Sequence, residues 1–195
     1  MEYKKKRNWV IGFSLGLLIL FYLFRNLSEF VRIGGVIFGL ILFYSIDHFF
    51  DIKFEIKHYG FVLIILFFGI ILSPLYFLST SYDKILHFVL PFISCFLIYY
   101  IVDKQKLIFK WKLLVTFMFV LSFSAIHEIG EYLIDQIWDL KLQGVWLRSD
   151  TLGLEKLDLV VSHIDDTMID MIIGIFGSLT FVIVKTIQNF YKNKK

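Results

Sequence analysis

The sequence predicts an all-α fold: a polytopic transmembrane helical bundle of about six spans, with both termini cytoplasmic. Three observations carry this reading. First, 58% of the 195 residues are hydrophobic and only 19% are charged. A soluble domain sits near about 45–50% apolar and ~25% charged, and a core of this size cannot hide so much apolar surface, so a soluble globular protein is excluded. Second, six stretches approach the roughly 20 apolar residues that a helix needs to cross a bilayer core. Third, the basic residues fall on one side of those stretches. Composition excludes collagen-like and disordered classes as well, with 12 Gly and 2 Pro. The lone Cys95 rules out an internal disulfide framework and a multi-cysteine metal cluster.

The expected spans run over residues 9–24, 30–50, 60–79, 84–102, 113–135 and 166–190. Lys4-Lys5-Lys6-Arg7 before the first resembles the start of a signal peptide, but no small-x-small cleavage pattern follows Phe24, which favours a retained first helix. Pro74 and Pro91 fall inside the third and fourth spans, where kinks are tolerated and often border cavities. No Gly-, Ser- or Pro-rich linker and no fixed-period repeat divides the chain, which reads as one integral membrane domain over 1–195.

An inside N-terminus places 14 of the 20 Lys and Arg residues on the cytoplasmic side, leaving Arg25, Arg32, Lys84, Lys141, Arg148 and Lys156 outside. Trp9 and Trp111 then mark the inner interface, and Trp138 and Trp146 the outer one. The one long connection, 136–165, lies outside, and its leucines alternating with Glu155, Lys156 and Asp158 suggest an element lying in the interface, of open secondary structure. Lysines arrayed along a membrane surface give no support to nucleic-acid binding; the expected partner is the lipid bilayer.

Acidic residues gather at the outer ends of the last three spans. Asp83 and His87 are four apart, Glu128, Glu131 and Asp135 are spaced three and four, and His163, Asp166 and Asp170 follow the same rule, so each set shares one helix face. Asp83, Asp135 and Asp165 are explained as solvated helix ends or caps. Glu128, Glu131 and Asp170 point back into apolar sequence, where a carboxylate is costly unless it meets a partner, water or a cation. The sequence therefore nominates Glu128, Glu131 and Asp170 as catalytic candidates. His87, Glu128, Glu131, Asp166 and Asp170 are candidate ligands of a divalent metal ion, through hard oxygens and one imidazole. Asp83, Lys84, His127, Asp135, Arg148, His163 and Thr167 are expected around them, with Lys84 and Arg148 the nearby basic groups. On the inner side Asp47, His48, Asp51 and His58 read as a solvated boundary, and Cys95 as packing.

Tyr82-Asp83-Lys84-x-x-His87-Phe88, then Glu128-x-x-Glu131-Tyr132, then Asp166-Thr167-x-x-Asp170-Met171-x-x-Gly174-x-x-Gly177 resembles an uncharacterised family of bacterial inner-membrane proteins with a domain of unknown function, similar to VanZ-like proteins. The resemblance covers about 82–177, and Glu131 stands where the VanZ-like pattern has Gln. It implies a multi-pass protein of the bacterial cytoplasmic (plasma) membrane with its site at the outer face. VanZ-like proteins are associated with low-level glycopeptide resistance, which would imply a cell-envelope role.

Three functions remain open at this point. One is a metal-dependent membrane enzyme acting on a lipid or envelope precursor; against it, H-E-x-x-H and G-x-S-x-G signatures are absent from the sequence. Another is a non-catalytic envelope or accessory protein. The last is a proton-coupled transporter, which intramembrane carboxylates suit but an absent inverted repeat does not.

Overall fold

A computed structural model describes residues 2–24, 27–138, 141–151 and 154–194. Of the positions read above, Arg25, Leu152 and Lys195, and the side chains of Trp138, Asp150, Leu154 and Glu155, lie outside the described residues. The chain is mostly helical: α1 (Glu2–Phe24), α2 (Leu27–Phe49), α3 (Ile56–Leu66), α4 (Thr80–Asp103), α5 (Phe109–Trp138) and α6 (His163–Lys192). Among the described residues, four helices are long and apolar enough to cross a membrane, within α2, α4, α5 and α6. The first and third expected spans are not among them. α1 is 23 residues long, and its side chains from 20 onward lie outside the described residues. The third span breaks up: α3 ends at Leu66, a π turn follows over Phe67–Ile71, and a 3-10 turn over Ser73–Phe77. Pro74 has no N–H to give the ladder and disfavours α geometry at Ser73, and the chain takes the 3-10 turn there.

The fold also departs from all-α. Val145–Thr151 (β1) and Leu154–Val161 (β2) pair as an antiparallel hairpin, with Arg148 opposite Leu157 and an irregularity at Val145/Trp146. The segment expected to lie in the interface is thus a β-ribbon. Its alternation of Leu157, Leu159 and Val161 with Lys156, Asp158 and Val160 has the period of two that strands require. Gly144 enters it with φ +80°, a backbone region that suits glycine.

Two compact units divide the chain, Met1–Ser73 and Pro74–Lys195. In the first, His48 and Asp51 are exposed, as a solvated boundary requires, but Asp47 and His58 are buried. Asp47 is fully buried and accepts from Lys6 Nζ at 2.8 Å, Tyr59 OH at 2.8 Å and Phe54 N at 3.0 Å. Three donors on one carboxylate are what lets a charge sit at 0% exposure. His58, also buried, returns its Nδ1 to Glu55 N and so caps the start of α3.

The second unit is a three-helix packing of α4, α5 and α6 with the hairpin at one end. Cys95, Leu113, Val120 and Phe181 form its core, and Phe92, Phe96 and Tyr99 pack around them. Ser79 and Ser162 cap α4 and α6 by accepting from Ser81 N and Asp165 N. Small residues bring α4 and α6 close. Gly177 lies so near the backbone of Phe88 that a Cβ there would stand 2.1 Å from its carbonyl oxygen. With no hydrophobic drive between helices in lipid, such close backbone approach is how spanning helices gain packing energy.

Candidate functional site

The close approach of α4 and α6 sets their first turns side by side, and α5 closes the group with its last turns. Lys84, on α4, reaches across to α6. Its ammonium lies 3.0 Å from Asp83 Oδ2 and 2.7 Å from Asp170 Oδ1, and it also contacts Asp166. Each of these carboxylates is nearly buried, Asp170 at 3% side-chain exposure and Asp166 at 7%.

His87, one turn further along α4, faces the remaining oxygens. Nε2 stands 3.4 Å from Asp83 Oδ1 and 3.9 Å from Asp170 Oδ2, and Nδ1 stands 3.5 Å from Glu128 Oε1. These separations exceed the ~2.7–2.9 Å of a charge-assisted hydrogen bond. Glu128 Oε1 is buried and has no hydrogen-bond partner among the described residues. Its residue is 5% exposed. Glu128 also has Thr167 within hydrogen-bonding reach, and Gln143 Nε2 donates to Thr167 Oγ1 at 3.3 Å.

Among the described residues, five carboxylates, Asp83, Glu128, Glu131, Asp166 and Asp170, therefore meet one lysine, Lys84, and two imidazoles, His87 and His127, which are cations only when protonated. That imbalance in a low-dielectric setting calls for protons or a further cation. Two groups of donors lie within 4.8 Å of one another: Asp83–His87–Asp170 and His87–His127–Glu128.

The remaining expected residues divide. Glu131, 21% exposed, has His127 Nδ1 at 3.7 Å as its neighbour, and the His127 ring stands 5.9 Å from that of His87. Asp135 instead accepts from Leu142 N and Gln143 N at 3.0 and 2.8 Å, which folds the chain back toward the hairpin. His163 packs edge-on against Trp146 at the hairpin base, 6.1 Å between rings. Arg148 sits within β1. Residues that sequence reasoning missed are Tyr76, within electrostatic reach of Asp83 and Glu131, and Gln143, behind Thr167. Tyr76 lay in an expected span and Gln143 in a connection of open structure, so neither carried a spacing signal.

Beside Lys84 an apolar groove of about 540 Å³ runs between α4, α6 and the hairpin base, lined by Ile85, Phe88, Val89, Val145, Val161 and Ile169. Ile85 and Ile169 are themselves 56% and 39% exposed on the surface that flanks it.

The family model described as "Predicted membrane protein (DUF2238)" matches residues 4–189, and the chain belongs to that family. No curated protein and no solved structure matches the chain.

Proposed function

We propose that this membrane protein binds a divalent cation at Asp83, His87 and Asp170, and uses it on a lipid or cell-envelope substrate. One observation carries the reading. His87 Nε2 stands 3.9 Å from Asp170 Oδ2, too far for a hydrogen bond, and 3.4 Å from Asp83 Oδ1, a long contact at the outer limit of one. These separations suit donors sharing an ion, since ligands held tetrahedrally at ~2.0–2.1 Å stand about 3.4 Å apart. Lys84 then takes the outer oxygens of the same two carboxylates and fixes their orientation. Glu128 faces the other imidazole nitrogen, the position from which a carboxylate accepts Nδ1–H and sets the tautomer of a metal-bound histidine. Three protein ligands leave a coordination position open, the arrangement of catalytic rather than structural sites. The ion would supply a polarised phosphoryl or acyl group and an acidic bound water. Glu131, the more exposed carboxylate, is the group placed to move a proton. Asp166 is engaged by Lys84 and serves the charge balance.

The groove beside Lys84 supports access from the bilayer rather than from water, because its walls are apolar and open beside exposed isoleucines. We place the protein in the bacterial cytoplasmic membrane with both termini inside and the hairpin outside, on the distribution of Lys and Arg. The VanZ-like resemblance rests on the three motifs over 82–177 and adds an envelope setting. A second reading, a non-catalytic accessory protein, is favoured by Lys84 alone: three carboxylates on one ammonium also describe a metal-free structural network.

Metal analysis of the protein purified in mild detergent separates the two. The proposal expects a near-stoichiometric divalent ion that is lost in Asp170→Asn. Metal at background level in wild type after purification without chelator, with no uptake on titration, overturns it.

A further inference from the structure

The end of the second unit opposite the carboxylate cluster is where α4 finishes, α5 begins and α6 finishes. A pocket of about 340 Å³ lies between them, lined by Tyr99, Asp103, Lys112, Lys185, Asn189 and Lys192 among others. Three lysines face one aspartate, so two positive charges remain in excess. The aspartate is already engaged, since Lys112 Nζ donates to its carboxylate at 2.9 Å and to its carbonyl at 2.7 Å.

Lys185 differs from an ordinary boundary lysine. It precedes the last residue of α6 by seven positions, which places it about 10 Å inside the helix end at ~1.5 Å per residue. Its ammonium stands 4.8 Å from the Tyr99 ring and 5.9 Å from the rings of Phe96 and Phe181. Aromatic faces attract a cation but do not cancel its charge. An ionised side chain at that depth in a spanning helix marks a site when it opens on a polar pocket. Lys185, Asn189 and Lys192 are spaced four and three, so they share one face of α6 and can meet one ligand together.

We propose that this pocket binds the phosphate headgroup of an anionic membrane lipid. The charge excess selects an anion, and ammonium and amide donors are what phosphate oxygens accept. The lipid is chosen over free phosphate by what surrounds the pocket. Ile108 and Trp111 on the α5 side and Ile187 on α6 are 65%, 55% and 50% exposed, and offer apolar surface on which acyl chains can lie. Basic pockets between spanning helices are the usual seats of such headgroups. The site is independent of the metal reading, with which it shares no residue.

The full chain in mild detergent is titrated with short-chain phosphatidylglycerol, short-chain phosphatidylcholine and inorganic phosphate, following thermal stability. Phosphatidylglycerol is expected to stabilise saturably and the other two to have no effect at the same phosphate concentration. Lys185→Gln and Lys192→Gln should each weaken the apparent affinity about fivefold, Lys192→Glu should abolish it, and Lys110→Gln, outside the pocket, should leave it unchanged. Equal stabilisation by phosphatidylcholine, or an effect that survives Lys192→Glu, overturns the site. Equal stabilisation by inorganic phosphate overturns the lipid as its ligand.

Discussion

Gly177→Ala tests whether the α4–α6 contact positions the site. The added methyl would stand 2.1 Å from the carbonyl oxygen of Phe88 and 3.0 Å from its carbonyl carbon. Both are backbone atoms, so no rotamer change relieves the clash. Reaching even 3.0 Å from the oxygen requires the helices to part by about 0.9 Å, the difference between that limit and 2.1 Å. Overpacking of this kind costs ~1–3 kcal/mol, against a gain of ~1 kcal/mol from alanine over glycine in a helix. Backbone against backbone belongs at the upper end, so a net loss of about 2 kcal/mol is expected. For a chain of this size that lowers Tm by about 4–8 °C. The same parting pulls His87 from Asp170, which already stand 3.9 Å apart, and so should weaken divalent-cation binding about 10 Å away along α6. Gly174→Ala is the control, because its nearest contacts are 3.6 and 3.7 Å, ordinary van der Waals distances. Gly130→Ala meets nothing within 4 Å and should raise Tm by about 2–4 °C through helix propensity. The assay is thermal unfolding of the three variants in one detergent, with and without metal. A Gly177→Ala protein as stable and as metal-responsive as Gly174→Ala would refute the reasoning.

Other expectations follow from the same geometry. Asp47→Ala removes the buried carboxylate that pairs with Lys6, itself 3% exposed. It should cost ~3–5 kcal/mol, read as a large fall in Tm. In a Cys95→Ser background, a cysteine at Ser149 should label from outside intact cells and one at Asn193 should not; labelling at Asn193 would reverse the proposed orientation. Asp158 on the hairpin is held below the usual carboxylate range by the Lys156 ammonium first and the Ser149 hydroxyl second. A depressed folded-state value means its contribution is present above the ordinary carboxylate range and fades as pH falls through the folded value. The carboxyl ¹³C shift of Asp158 should titrate below that of a free aspartate, and Lys156→Gln should move it back up.

The membrane class and the polar faces of α4, α5 and α6 were legible because they rest on periodicity. Spacings of three and four put Asp83 with His87, and Asp166 with Asp170, on single faces, and the structure brings those faces together around Lys84. Local spacing could not tell which carboxylates share a neighbour across helices. Asp135 bonds the backbone of its own connection and His163 packs on Trp146, although both share a helical register with cluster residues. The hairpin carried a period of two that was visible in 156–161, but leucines alternating with charges over so short a segment read equally as an amphipathic helix. Asp47 was misread because its donors, Lys6 and Tyr59, lie 41 and 12 residues away. The broken third span was foreshadowed by Pro74; a kinked continuous helix and a stop differ only in what packs against the freed backbone, which sequence does not state.

The central claim is that Asp83, His87 and Asp170 hold a divalent cation. Its most direct test is thermal stability of wild type, Asp170→Asn, Glu128→Gln and Glu131→Gln, each with chelator and with added divalent metal. Binding to the folded state alone stabilises it by mass action, ~2.7 kcal/mol at a hundredfold excess over Kd. Wild type should therefore gain about 5–11 °C in Tm from metal, Asp170→Asn should gain nothing, Glu128→Gln should gain less, and Glu131→Gln should respond like wild type. Equal metal responses in all four proteins, or none in wild type, would contradict the account.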